Sequence, residues 1–441
     1  MEVIGAAVGD TASQMLRADC VPCASKSAAT RYNGGVRPRR RLCTLEALLV
    51  QKLIGRAKND PLAHEKRRRD MFARVKRALF GIGRRVGAFE LVADSRWRRA
   101  RLLILGYHGI SQDDEHQWDP ELYMPPEQFH SRLLLLRDRG YNVLSLDDAL
   151  RRLYADDLPP RAVAITFDDG YVDFYRLAYP LLTSLGMPAT VYLTTYHCDD
   201  NRPAFDVVAS YLLWRGRGRN KSIAGSGLLD DGGAIDLRSP LERSRAHAAL
   251  RASVSRRRLS AVEKDDVARR LAERVDVDYD DLRRRRILHL MTPAEVHSLS
   301  SDLVDVQLHT HRHRTPRDRA SFHAEITDNL RRIDAITGSA KEHRHFCYPS
   351  GDYDSRFLPW LRELRVESAS TCEPGLATMQ TEPLRLPRMM DTSVQSLLTF
   401  EAWTAGMAHW LPRRRQTGVD LGQDTAPALT SLTEGVAPEH L

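Results

Sequence analysis

The chain has 441 residues, 42% hydrophobic and 28% charged, enough for about two to three average globular domains or one large domain with additions. Six cysteines are too few for a disulfide framework, and no long uncharged apolar window indicates a transmembrane helix. The net charge of +8 is carried by arginine clusters without interleaved aromatic residues, which favours solvated faces and predicts no nucleic-acid partner. No signal peptide is evident, so the sequence predicts a cytoplasmic protein.

The beginning of the chain differs from the rest. Residues 1–70 are rich in Gly, Ala, Ser and Arg, and we expect them to be disordered, with a start codon assigned too early as the alternative. Segment 71–99 opens with apolar residues at helical spacing and arginines between them, which predicts a basic amphipathic helix. Its stripe consists of Phe72, Val75, Leu79, Ile82, Val86 and Phe89. Such a helix either docks on its own domain or lies, over 71–90, on the inner face of an anionic membrane.

The middle of the chain alternates short apolar strands with helices. This rhythm begins at "RLLILGY", continues through "AVAITF" and "ATVYLTT", and predicts a parallel β/α architecture. Residues 200–290 interrupt it with a polar, arginine-rich, mostly helical pattern, which we interpret as an insertion. The rhythm resumes with a helix capped by Thr292 and Glu295 and with the strand "VDVQLHTH". Residues 401–441 are predicted to form a C-terminal tail.

Two groups of potential metal ligands follow predicted strands. Asp168 and Asp169 end "AVAITF", where two adjacent carboxylates repel each other unless they are solvated in a turn or neutralised by a cation. His309, His311 and His313 end a later strand, where an alternating strand or an i, i+4 turn brings imidazoles together. Carboxylate and imidazole are ligands for zinc and other first-row divalent ions. The two groups together predict a metal site.

Three motifs in this order resemble the polysaccharide deacetylases, the NodB-homology family of carbohydrate esterases. They are Thr166-Phe167-Asp168-Asp169-Gly170, His309-Thr310-His311-Arg312-His313 and Phe346-Cys347-Tyr348-Pro349-Ser350-Gly351. The opening "GYHGI" and the late "LRLPRM" are similar to one branch of that family. The resemblance covers about residues 100–395 apart from the insertion, and we assign residues 100–400 to the domain. It implies an α/β fold, a distorted (β/α) barrel of about seven strands.

The resemblance also implies roles for individual residues. Asp169, His309 and His313 would hold a divalent metal, with zinc expected first and cobalt, nickel or manganese as alternatives. Asp168 would be the general base that takes a proton from the metal-bound water, and the backbone N–H of Ser350 would help to stabilise the oxyanion. His311 is not expected to be a ligand.

The chain departs from the family pattern in three ways, one of which is the insertion over residues 200–290. Cys347 stands where many members have an arginine that orients the base, and Arg388 in "LPRM" is the candidate to replace it. The usual C-terminal general-acid histidine has no clear counterpart, and His108 at the end of the first strand could reach the site instead. With Tyr348 and Ser350, Arg388 and His108 form the expected substrate-binding set.

These features predict a metal-dependent hydrolase that removes the N-acetyl group from an amino sugar in a polysaccharide or a lipid-linked glycan precursor. Two alternatives remain open. One is a metal-dependent hydrolase of a non-sugar amide on the same fold. The other is a non-catalytic glycan- or membrane-binding protein.

Overall fold

The computed structural model describes residues 61–199, 202–218, 228, 236–338 and 342–410. Contacts divide the chain into a unit of residues 1–72 and a unit of residues 73–441. We expected residues 1–70 to be disordered, and residues 1–60 lie outside the described residues. Residues 61–70 are helical, so the expectation is wrong for this part. Within the described ranges, no helix is both long and apolar enough to cross a membrane.

A curled parallel sheet forms the centre of the larger unit. Its strands pair in the order β10-β1-β5-β6-β7-β8-β9, with β4 also paired to β5. The strands are β1 Leu103–Tyr107, β4 Asn142–Leu144, β5 Ala162–Phe167, β6 Ala189–Leu193, β7 Val304–Leu308, β8 His345–Cys347, β9 Ser368–Ser370 and β10 Met389–Met390, and a separate pair joins β2 Gly109–Ile110 to β3 Tyr123–Met124. Leu386 bridges to Ser370 of β9, and β10 then pairs with β1, so one short segment links both edges of the sheet. This confirms the predicted distorted barrel.

The apolar strands are buried on both faces. Every residue of β1, β5 and β6 is buried, as expected for parallel strands that are covered on both sides. Leu103 and Leu105 pack in the largest hydrophobic core, whereas Ile104 packs in a smaller core with Ala164. This division follows from the alternation of side chains along a strand. The helices that accompany the sheet are Pro126–Asp138, Leu146–Tyr154, Tyr179–Leu185, Pro293–His297, Arg319–Thr337 and Phe357–Glu363, with the short helix Glu115–Trp118 before β3 and a π-helical turn at Phe174–Ala178.

The two ends of the described region differ from the sequence prediction. The helix expected over 71–99 is three helices, which are Pro61–Arg85, Ala88–Ala93 and Arg96–Arg99. The first ends where Gly87 adopts a left-handed conformation, with φ of 73°. At the other end, the helix Leu397–Thr404 buries Phe400 completely, so residues 401–410 belong to the folded domain rather than to a tail. The tail predicted beyond residue 410 lies outside the described residues.

The predicted insertion packs around a second hydrophobic core, which Tyr123 of β3 also joins. Helical N-caps at Ser239, Ser260 and Asp278 start three of its helices. The helices are Phe205–Arg215, Pro240–Arg256, Ala261–Arg274 and Tyr279–Arg285. Buried leucines from all four pack together in this core. The domain boundaries drawn around the insertion stay a prediction.

Candidate active site

The predicted site residues meet at one end of the sheet. Asp168 directly follows β5, His309 follows β7, Tyr348 follows β8, and His108 follows β1. Because the strands are parallel, their carboxyl ends share one edge, and loops from several strands contribute to the same site.

The loops of this edge hold several residues in the left-handed region of backbone conformation. Asp169 has φ of 70°, Thr310 of 61°, His313 of 54° and Ser350 of 56°. Non-glycine residues rarely adopt this conformation, and such strain persists only where the surrounding structure enforces it, often at functional sites. Gly170, with φ of 85°, has no room for a side chain, because a Cβ atom would lie 2.3 Å from Cδ1 of Leu193. The glycine after the aspartate pair is therefore required by the turn itself.

Asp169, His309 and His313 form a cluster suited to a metal ion. Oδ1 of Asp169 lies 3.2 Å from Nε2 of His309 and 3.1 Å from Nε2 of His313. This carboxylate oxygen is buried and makes no hydrogen bond, although two imidazole nitrogens are so close. A buried polar atom without a partner is costly, whereas a cation among the three atoms would satisfy all of them. The residues present therefore fit a divalent metal.

The tautomer of His309 fits the same role. Its Nδ1 lies 2.9 Å from the backbone carbonyl oxygen of Cys347. Because a carbonyl only accepts hydrogen bonds, the proton of the neutral imidazole sits on Nδ1, and Nε2 keeps a free lone pair. Metal-binding histidines commonly have such a second hydrogen bond, which fixes the ring and its tautomer.

A neighbouring cluster of Asp168, His309 and Cys347 is less suited to a metal. Both oxygens of Asp168 accept hydrogen bonds from Arg388. Burial raises the pKa of the Cys347 thiol well above its usual range, so the thiolate that a metal would need is disfavoured.

Asp168 is held as an anion by Arg388. Nη1 and Nη2 of Arg388 donate to the two carboxylate oxygens of Asp168, each over 2.7 Å, in a bidentate pair. The guanidinium also donates to the Thr371 carbonyl and to the Thr166 hydroxyl. Burial alone would raise the pKa of Asp168, but the charge and hydrogen bonds of Arg388 outweigh it and lower that pKa to about 2. Asp168 is therefore a carboxylate at neutral pH.

Cys347 makes room for this pair. Its Sγ lies 3.0 Å from Nη2 of Arg388 and 3.5 Å from Oδ2 of Asp168. The side chain of Cys347 is fully buried. A long basic residue at position 347 would occupy the space that the Arg388 guanidinium fills. The guanidinium beside Asp168 thus comes from the segment before β10 instead of from β8.

The expected substrate-binding residues have different environments. Nε2 of His108 lies 3.8 Å from Oδ2 of Asp168 and its side chain is 20% exposed, so His108 reaches the site. Ser350 is exposed in its loop. Tyr348 is fully buried and donates its hydroxyl proton to the Leu384 carbonyl, so its side chain belongs to the core and does not line a substrate cleft. Arg388 is equally buried, which corrects its expected substrate contact to a contact with Asp168.

His311 faces away from the aspartate cluster. Its Nδ1 lies 2.8 Å from the Thr195 hydroxyl, and its ring packs edge-on against Tyr196. It is not a member of either group of potential metal ligands in the described ranges.

Two buried residues that the sequence analysis did not single out fix the histidine loop. Asn329 accepts a hydrogen bond from the backbone N–H of His309 and donates to the Leu193 carbonyl and the Thr195 hydroxyl. Glu325 accepts from the backbone N–H of Arg312, between the two histidines of the cluster. Both lie on the buried face of the helix Arg319–Thr337. Polar residues at core positions of an amphipathic helix are the signal that could have identified them.

We expect Asn329→Leu to weaken metal binding about 10- to 100-fold, because the His309 backbone loses its anchor. The substitution also leaves the Leu193 carbonyl and the His309 N–H without their partners, at a cost of about 1–3 kcal/mol for each buried group. Zinc affinity measured by chelator competition checks the first effect, and urea denaturation checks the second. Ile326→Leu on the same helix face is the control and should change both little. Unchanged zinc affinity in Asn329→Leu would contradict this role.

Comparisons with known proteins agree with the motifs. A polysaccharide deacetylase family model matches residues 155–228 and 253–369. The chain is 40% identical over 95 residues to the Bacillus subtilis (strain 168) protein YxkH, named as a candidate polysaccharide deacetylase. It is 28% identical over 102 residues to the poly-β-1,6-N-acetyl-D-glucosamine N-deacetylase of Escherichia coli (strain K12). These matches span 21% and 23% of this chain, but only 32% and 15% of the two relatives.

Among solved structures, the deacetylase PplD of Streptococcus pyogenes, in complex with acetate, aligns over 69% of this chain and 98% of its own, with 19% identity and a TM-score of 0.45. The aspartate pair, His309 and His313 lie in segments matched by the family model, whereas His108 and Arg388 lie outside them. The part of the chain that carries the cluster therefore matches the polysaccharide deacetylase family.

Proposed function

We propose that the protein is a metal-dependent deacetylase that hydrolyses the N-acetyl group of an amino sugar in a polysaccharide or a lipid-linked glycan precursor. The observation that carries the proposal is that two adjacent aspartates have different partners. Asp169 faces two imidazoles with an unsatisfied oxygen, and Asp168 is held as an anion by Arg388. The first supplies metal ligands, and the second supplies a base.

The three ligand residues are Asp169, His309 and His313, and carboxylate with imidazole suits zinc. A divalent cation held by these three residues would lower the pKa of water and polarise a carbonyl. Asp168 would accept the proton of the attacking water, and its charge at neutral pH supports this role. The backbone N–H of Ser350 is the proposed hydrogen-bond donor to the oxyanion. His108, beside Asp168, is the proposed general acid that donates a proton to the leaving amine.

Family membership and relatives support the sugar substrate. The name of the E. coli relative gives its substrate as a β-1,6-linked N-acetylglucosamine polymer, and we extend this substrate class to the present chain as part of the proposal. Hydrolysis of the amide would release acetate and leave a free amine on the sugar.

The test combines metal content with acetate release. Mass spectrometry of protein purified without chelators should find about one divalent ion per wild-type chain and almost none in the His309→Ala/His313→Ala double variant. Acetate release from N-acetylglucosamine oligomers should disappear with the metal. His311→Ala is the matched control, because this histidine belongs to the same loop but faces Thr195, and it should retain the metal.

Two outcomes would contradict the proposal. Wild-type protein without metal would favour a non-catalytic binding protein. Bound metal without acetate release from any N-acetylated glycan would favour hydrolysis of a non-sugar amide.

A further inference from the structure

The helix Pro61–Arg85 presents an apolar stripe to solvent. Val75 is 53% exposed, Leu79 55%, Ile82 58%, and Val86, directly after the helix, 68%. At about 100° per residue, these four side chains fall within an arc of about 60° on the helix surface. We call this set the exposed stripe.

A different face attaches the helix to the domain. Phe80 is 3% exposed and packs edge-on against Phe89, with ring centroids 6.1 Å apart. Gly83 is buried against the same phenylalanine, and Arg84 pairs with Glu401 over 3.0 Å. The helix is therefore fixed on the protein without the exposed stripe. The two alternatives left open by the sequence, docking and membrane contact, would therefore use different faces of one helix.

The charges around the stripe are of one sign. Between residues 71 and 89 the chain has five basic residues and no acidic one. Arg74 and Arg85 border one side of the exposed stripe and Lys76 the other, by the same helical geometry. Apolar side chains flanked by cations match the surface of an anionic bilayer, where acyl chains lie just below negatively charged headgroups. The stripe contains only aliphatic residues and lacks the aromatic anchors that are enriched in protein interfaces.

We propose that the exposed stripe and its flanking basic residues bind the surface of an anionic phospholipid membrane. Aliphatic side chains enter the headgroup region while the arginines contact lipid phosphates. Because the buried face of the helix is packed on the domain, binding would hold the whole domain at the membrane surface. This inference does not depend on the catalytic proposal.

Sedimentation of the full chain with lipid vesicles tests the inference. We expect binding to vesicles of phosphatidylcholine mixed with phosphatidylglycerol, weak binding to phosphatidylcholine alone, and loss of binding at high salt. Val75→Asp/Leu79→Asp should weaken binding at least about tenfold, because it places charge in the apolar contact. Arg74→Gln/Arg85→Gln should weaken it mainly at low salt.

The matched control adds the same charge elsewhere. Leu241→Asp/Val262→Asp changes two residues of the insertion that are 59% and 62% exposed, and it should leave vesicle binding within about twofold of wild type. Thermal denaturation confirms that each variant is folded. Equal weakening by the stripe and control variants, or no wild-type binding to anionic vesicles, would overturn the proposal. A wild-type dimer that the stripe variant converts to monomer would instead assign the stripe to contact with a second copy.

Discussion

Asp168→Asn should reduce acetate release at least about 100-fold while leaving the metal content unchanged. Removal of a general base costs about 10²- to 10⁴-fold in rate, and the amide cannot accept the proton that the carboxylate accepts. Asp168 is not part of the Asp169, His309 and His313 cluster, so the ligand set stays intact. Steady-state acetate release and mass spectrometry on the same preparations measure both quantities.

Asp169→Asn is the natural comparison for this variant. It replaces the adjacent residue, but the replaced oxygen lies 3.1 Å from His313 and 3.2 Å from His309, so metal and activity should be lost together. The two variants therefore separate a base from a ligand within one dipeptide. Activity of Asp168→Asn within about tenfold of wild type would rule out Asp168 as the base.

The sequence was sufficient to predict the barrel and to identify the candidate ligands of the site. Buried strands at regular intervals predicted the parallel sheet, and residues directly after parallel strands must share one edge. The aspartate pair and the histidine group could be brought to one edge on this basis, because each lies within five residues after a strand. The family resemblance then singled out Asp169, His309 and His313. Their roles as ligands stay a prediction until metal is measured.

Other features depended on tertiary packing that local patterns do not encode. Tyr348 lies in a recognisable motif, yet its ring is buried in the core, and the chain turns directly after it. Asn329 is a polar residue at a core position of its helix, and only the fold shows that it reaches the His309 backbone. The exposed stripe has the same apolar periodicity as a docked helix, so sequence alone could not tell which face was buried.

The placement of Arg388 shows why a motif comparison is incomplete without geometry. Sequence comparison placed Cys347 where an arginine was expected and offered Arg388 as a replacement, 41 residues further along the chain. The structure brings both side chains to Asp168, since Cys347 ends β8 beside this carboxylate and the long side chain of Arg388 reaches it from the segment before β10. The guanidinium can therefore reach the same carboxylate from a different strand.

Arg388→Met should lower the free energy of unfolding by about 3–5 kcal/mol and also reduce acetate release. Removing one partner of a buried ion pair leaves the other charge without compensation, and both Arg388 and Asp168 are almost completely buried. The pair lowers the pKa of Asp168 to about 2, so its stabilising contribution is complete above about pH 4 and is lost as the pH falls towards 2. Urea denaturation at neutral pH measures the loss.

A second substitution and an exposed control separate the charge effect from lost packing. Arg388→Met/Asp168→Asn should be more stable than Arg388→Met alone, because a neutral amide costs less to bury than an unpaired carboxylate. Arg385→Met removes a similar pair with Glu373, 2.8 Å long but about half exposed on both sides, and should cost no more than about 1 kcal/mol. If Arg388→Met and Arg385→Met were equally stable, the buried pair would contribute little, and the anionic state of Asp168 would require another cause.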